Sequence, residues 1–149
     1  MSGTPDGQIT FLREGGALRF WLPANRSTLE LATTNFIDLH SETDPAVAVL
    51  SPTGGANFDS EYAQGSKVLR LPNGNLAMLY HAEHHPCAGN NAEVSVGLAV
   101  SSDDGVTWER RGAILQAPAI GDIPCAERTF YGDGSFSAVV SPDRQYLYV

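Results

Sequence analysis

The sequence predicts an all-β protein, and three observations carry the prediction. Its 15 glycines and 9 prolines punctuate short runs rich in Val, Leu, Thr and aromatic residues, which is how strand-and-turn chains read. No stretch of helical length repeats its apolar residues every 3.6 positions. One strand–turn–strand pattern recurs along the chain. With 149 residues, 42% of them hydrophobic and only 17% charged, the composition is that of one ordinary globular domain, not of a disordered chain.

The repeat sets the architecture. Gly7 to Leu22 overlays without a gap on Gly65 to Tyr80, and each reads as strand, turn, strand. The turn residues Gly16 and Gly74 coincide, as do Leu18 and Leu76. A third copy opens at Gly134: Tyr131-Gly-Asp-Gly-Ser135 echoes Tyr62-Ala-Gln-Gly-Ser66, and a turn at Ser141-Pro-Asp-Arg144 leads into Tyr146 to Val149. Two more strands follow each full hairpin, at Ser27–Thr33 and about Ala46–Leu50 in the first unit and at Glu93–Val100 and Glu109–Leu115 in the second. Each complete unit is therefore a four-stranded antiparallel meander, the blade of a β-propeller. Blade 1 is expected over about 6–58, blade 2 over about 62–118, and the start of blade 3 over about 131–149, together a single partial propeller domain.

About two and a half blades form an incomplete ring, and open blade edges need cover. Two expectations follow. Either the chain is the N-terminal piece of a longer enzyme, or, if it is naturally this short, it forms a homo-oligomer that completes the propeller.

Between the third and fourth strands of the second unit lies Ser101-x-Asp103-x-Gly105-x-Thr107-Trp108. A carboxylate at Asp103 can accept hydrogen bonds from turn amides, Gly105 can take a positive φ, and Trp108 can bury its ring where the hairpin meets the sheet. The string resembles, at every defined position, the Asp-box (BNR) repeat of sialidases and related propellers. That resemblance implies a structural turn and no catalytic role.

In such a meander the start of the first strand, the end of the second and the loop to the next unit share one end, here called the top. The Asp-box turn lies at the bottom, so the top is where a ligand site is expected. Asp6, Gln64 and Asp133 each precede the glycine that opens an inner strand, so the repeat points all three toward the axis. The arrangement resembles five-bladed propeller glycoside hydrolases, the arabinanase, xylosidase and invertase-like enzymes. These mount an Asp base, a pKa-tuning Asp and a Glu acid around one funnel, the paired carboxyls that glycosidic cleavage requires. The resemblance implies a carbohydrate-active protein with Asp6 as base and Glu127 as acid. Asp133 and Glu61 are further candidates, and Tyr62, Arg128 and Tyr131 stand beside them as sugar contacts. The chain departs from that pattern at Gln64, which is neutral. The alternatives are a non-catalytic, lectin-like glycan-binding module and an inactive truncated remnant.

His81-Ala-Glu-His-His85 places His81, Glu83 and His85 on one face at the top of a strand by two-residue alternation. Contact with a sugar, or a hydrogen-bonded rim, is expected there ahead of a divalent ion, because no fourth ligand is spaced for a metal; no cofactor is expected. Cys87 and Cys125 both fall in top loops of the second unit. Two unrelated thiols are one reading, and the topology favours a disulfide.

Lys and Arg number 9 against 17 Asp and Glu, a net charge of −8, with no basic run, so neither nucleic acid nor an anionic membrane is an expected partner. A glycan or small sugar is. No window is apolar enough to span a bilayer and the first residues lack the features of a signal peptide, so a soluble protein of open localisation is expected.

Overall fold

The computed structural model describes residues 8–33, 47–87, 91–116 and 124–149. Strands β1 (Thr10–Glu14), β2 (Ala17–Ala24), β3 (Ser27–Thr33) and β4 (Val47–Leu50) form one sheet in sequence order, each antiparallel to the next. Strands β5 (Tyr62–Arg70), β6 (Leu76–His84), β7 (Glu93–Ser101) and β8 (Glu109–Gln116) repeat the arrangement in a second sheet. The chain is thus all-β, built of four-stranded antiparallel meanders, and neither sheet closes into a barrel. No helix among the described residues is long and apolar enough to cross a membrane.

The third unit begins differently from the sequence pattern. Strand β9 (Tyr131–Gly132) pairs parallel with β7 at Glu93 and Val94, beyond Ser95, where the β8 pairing ends. Tyr131 therefore finishes the second sheet rather than opening a third. Among the described residues, β10 (Val139–Val140) and β11 (Leu147–Tyr148) form a separate two-stranded hairpin.

Strand β6 is covered on both faces, which is why it reads as a nearly unbroken apolar run. Leu76, Met78, Tyr80 and Ala82 pack with Val68 and Ala99 against Trp21 and Leu50 of the first sheet. Leu79 faces the other way and meets Val96, Ala138 and the partly buried Phe136. A bulge in β5 between Gly65 and Lys67 takes a backbone N–H out of the ladder, and the first sheet supplies its partner. Gly65 N donates to Thr28 Oγ1 (2.6 Å), and the same hydroxyl donates to Ala63 O (2.9 Å). Thr10 Oγ1 accepts from Val68 N (3.2 Å), and Ala63 N reaches Arg26 O (2.9 Å). Two buried threonines thus stitch the sheets together along β5 without a shared ladder.

Tyr80 crosses β7 over Gly97, where a Cβ would sit inside the tyrosine ring. Its hydroxyl donates to Asp59 Oδ2 (3.1 Å), which also accepts from Arg110 Nε (2.8 Å), while Thr53 Oγ1 donates to Oδ1 (2.6 Å). Asp59 is 1% exposed, so these donors replace the water it gives up on folding. Burial, and next the Asp59 charge, push the Tyr80 phenol above the usual tyrosine range.

At the bottom, the Ser101 to Trp108 turn closes on its own side chains. Asp103 accepts from Ser101 Oγ (2.8 Å), Thr107 N (2.9 Å) and Thr107 Oγ1 (2.6 Å), and Ser101 Oγ accepts from Gly105 N (2.7 Å). Gly105 has φ 93°, and Trp108 lies edge-on to Trp21 at 6.4 Å. The turn after β10 repeats the arrangement in part: Ser141 Oγ donates to Asp143 and accepts from Tyr146 N (3.0 Å). Beside the first turn, Glu14, Arg70, Asp104, Arg19 and Glu30 form a chain of ion pairs that joins both sheets.

Candidate functional site

The start of β5, the end of β6, the start of β7 and the segment from Pro124 to Gly134 meet at the top. Their convergence follows from antiparallel order, reinforced by a covalent tie: Cys87 and Cys125 are disulfide-bonded, with Cα atoms 5.6 Å apart. Cys125 begins the 3-10 turn Cys125–Glu127, so the bond fastens this strap to the residues just after β6.

Glu83 is the polar centre. It is buried and both carboxylate oxygens are occupied, Oε1 by His81 Nε2 and Oε2 by His85 Nε2, each at 2.6 Å. Burial alone would raise its pKa. The hydrogen bonds from His81 and then His85 outweigh that and hold the carboxyl below the usual glutamate range. His81 Nδ1 also meets Gly134 O at 3.0 Å, so strand alternation sends His81 and Glu83 toward the strap, away from the first sheet.

An aromatic wall stands over this centre. Tyr62 stacks on His85, with ring centroids 5.8 Å apart and planes 21° apart, and Phe130 meets His85 edge-on at 6.3 Å. The Arg26 guanidinium lies 5.3 Å from the Tyr62 ring centroid. Phe130 is 47% exposed, which leaves apolar ring surface open beside a carboxylate and two imidazoles. Flat apolar rings next to directional hydrogen-bonding groups suit a ligand that has both apolar C–H faces and hydroxyls.

His84 turns the opposite way. Its Nδ1 is 2.8 Å from Ser60 Oγ and 3.9 Å from Glu61 Oε2. Glu61 Oε2 also takes the Ser60 hydroxyl and the His85 backbone N–H. Glu61 therefore braces the end of β6.

Among the residues expected from sequence to form a site, Tyr62, His81, Glu83 and His85 are brought into direct contact, with Glu61 next to them. Gln64 is buried on β5, opposite His81. Arg128 pairs with Glu93 at 3.4 Å, and Tyr131 N donates to Ala92 O (3.1 Å). Glu127 and Asp133 lie exposed on the strap, and Asp133 N donates to Val94 O (3.1 Å). Asp6 falls outside the described residues. Sequence reasoning did not single out Phe130, Arg26, Ser60 or His84. The signal for Phe130 was its place beside Tyr131; Arg26 had none until the β2–β3 turn was seen to abut β5.

Among the described residues, no group of three or more His, Cys, Asp or Glu side chains is arranged to hold a metal ion. Here the imidazole nitrogens are turned onto Glu83 itself. Compared with protein-family models, with curated proteins and with solved structures, the chain matches none.

Proposed function

We propose that the chain is a carbohydrate-active propeller protein of the glycoside-hydrolase kind that takes a glycan at its top face. One observation carries this reading. The Tyr62–His85–Phe130 wall stands over an ionised, buried Glu83, which pairs stacking surface with a fixed polar group as pyranose and furanose rings require. In the hydrolytic form the reacting carboxyls come from Asp6, Glu127, Asp133 and Glu61, with Glu127 as proton donor. Tyr62, His81, Glu83, His85, Gln64, Arg128 and Tyr131 then orient the sugar.

A non-catalytic, lectin-like form of the same reading has its own support. Both Glu83 oxygens are engaged by imidazoles, and the inner-strand position that would carry a middle carboxylate is the neutral Gln64. Turnover of chromogenic aryl glycosides of arabinose, xylose and fructose, measured for the parent and for Glu127→Gln, separates the two. A hydrolase loses about a hundredfold or more in kcat while keeping substrate affinity. No turnover by the parent, together with measurable binding, selects the lectin form; neither turnover nor binding removes the proposal.

A further inference from the structure

His81 stands between two acceptors. Its Nε2 is 2.6 Å from Glu83 Oε1 and its Nδ1 is 3.0 Å from the carbonyl oxygen of Gly134. A carbonyl oxygen only accepts, so Nδ1 must carry a proton; an ionised carboxylate only accepts, so Nε2 must carry one too. Two protons make an imidazolium. The competing arrangement moves the second proton to Glu83. In water a glutamate carboxyl releases its proton about two pH units below an imidazole, and here the other Glu83 oxygen also accepts from His85 Nε2 at 2.6 Å. Both effects keep the proton on the ring.

We propose that His81 is a proton-operated latch, doubly protonated when closed, that fastens the strap at Gly134 to the end of β6 and releases it on losing one proton. A neutral ring has one N–H for two oxygens. It keeps that N–H on the carboxylate, where the bond is charge-assisted, and turns a bare nitrogen toward the Gly134 carbonyl. The contact then becomes a repulsion between lone pairs.

Close approach at this point is built into the sequence. A Cβ on residue 134 would lie 2.7 Å from His81 Nδ1 and collide with Val94, so only glycine lets the carbonyl reach the ring. Among the described residues, the charged groups on the elements packed here are Glu83 on β6 and His85 just after it, Glu93 on β7 with its partner Arg128, and Asp133, next to Gly134. Strand β5 presents the neutral Gln64 opposite His81. The strap is also tied to this edge by the Tyr131 and Asp133 amides on β7, by the Arg128–Glu93 pair, by the Phe130 ring on His85 and by the disulfide at Cys125.

The sign follows from the second acceptor. An imidazole that gains a carboxylate and a carbonyl titrates above its ordinary value of about 6.5. The closing energy is therefore fully present below about pH 6.5 and is lost as pH rises through the raised value. Because the strap carries Phe130, Glu127 and Asp133, the latch sets how tightly the aromatic wall closes, whatever ligand the site takes.

The test uses the full chain: nitrogen-15 NMR of the His81 ring from about pH 5 to about pH 9, with hydrogen exchange of the Asp133 amide corrected for its intrinsic pH dependence. The expected result is a doubly protonated ring at neutral pH and a roughly tenfold or greater loss of Asp133 protection across the His81 titration. In Glu83→Gln the side-chain amide can donate to Nε2, so His81 should be neutral and Asp133 protection should no longer follow its titration. Gly134→Ala should lower protection at every pH. A ring carrying one proton at pH 6, a protonated Glu83 carboxyl by its carbon-13 shift, or Asp133 protection indifferent to the titration in the parent protein would each overturn the latch.

Discussion

The Tyr80 hydroxyl donates to the Asp59 carboxylate at 3.1 Å, and this contact joins the loop between the two sheets to the centre of the second. Tyr80 can reach Asp59 only because Gly97 leaves β7 bare beneath its ring. Arg110, from β8, completes the pairing at 2.8 Å.

Replacing Asp59 with Ala should therefore destabilise the fold by about 3 kcal/mol, since Tyr80 and Arg110 lose their common acceptor. Gly97→Ala should cost about 1–3 kcal/mol by forcing the ring aside. Urea unfolding checks both. Because the two changes act on one contact, the double variant should cost less than the two separately.

Thr28→Val keeps the shape of the side chain but removes its hydroxyl. The Gly65 N–H freed by the β5 bulge would then be buried without a partner, at a cost of about 1–3 kcal/mol. Thermal unfolding should show the loss, and hydrogen exchange should place it at Gly65. An exchange rate at Gly65 equal to that of the parent protein would contradict the assignment.

The Ser101 to Trp108 turn predicts a response to acid. Hydrogen bonds from the Thr107 side chain, the Thr107 amide and Ser101 pull Asp103 down to about 2. A depressed carboxyl contributes stability that is present above its unfolded value of about 3.9 and is lost as pH falls through the folded value. Asp103→Asn should therefore lower Tm at neutral pH and flatten the fall in Tm between about pH 4 and about pH 2. A parallel downward shift of the whole curve would contradict the proposed role of the charge.

Much of this was legible in the sequence. The strands at 27–33, 47–50, 93–101 and 109–116 follow from alternation, turn residues and the repeat, because those signals are local. The Asp103 turn was readable for the same reason. His81, Glu83 and His85 were legible as one face, since period two is a property of the strand itself. What escaped was set by contacts between distant segments. Tyr131 pairs with β7 at Glu93, past the last β8 contact at Ser95, and nothing near residue 131 encodes that pairing. Phe130 and Arg26 join the aromatic wall only once the strap and the β2–β3 turn are brought to the same end. Nor could spacing show that Glu83 would have both oxygens taken.

The disulfide closes a loop with a sequence separation of 38 residues between Cys87 and Cys125. The chain-entropy estimate for a loop of this size is about 4 kcal/mol. Cys87→Ser with Cys125→Ser should lower the urea midpoint accordingly and expose the strap to proteolysis near Glu127 before the sheets unfold. Cleavage of the sheets and the strap at equal rates would contradict the idea that the bond mainly secures the top face.

The proposed glycan site depends most heavily on the wall of Tyr62 and Phe130 as a surface for sugar rings. Its most direct test is calorimetric titration of the intact protein with arabino-, xylo- and fructo-oligosaccharides, repeated for Tyr62→Ala and Phe130→Ala. At least one series should bind, and each substitution should weaken it about tenfold or more, the loss of one stacking contact of about 1.4 kcal/mol. Binding that is unchanged by both substitutions, or no binding in any series, would contradict it.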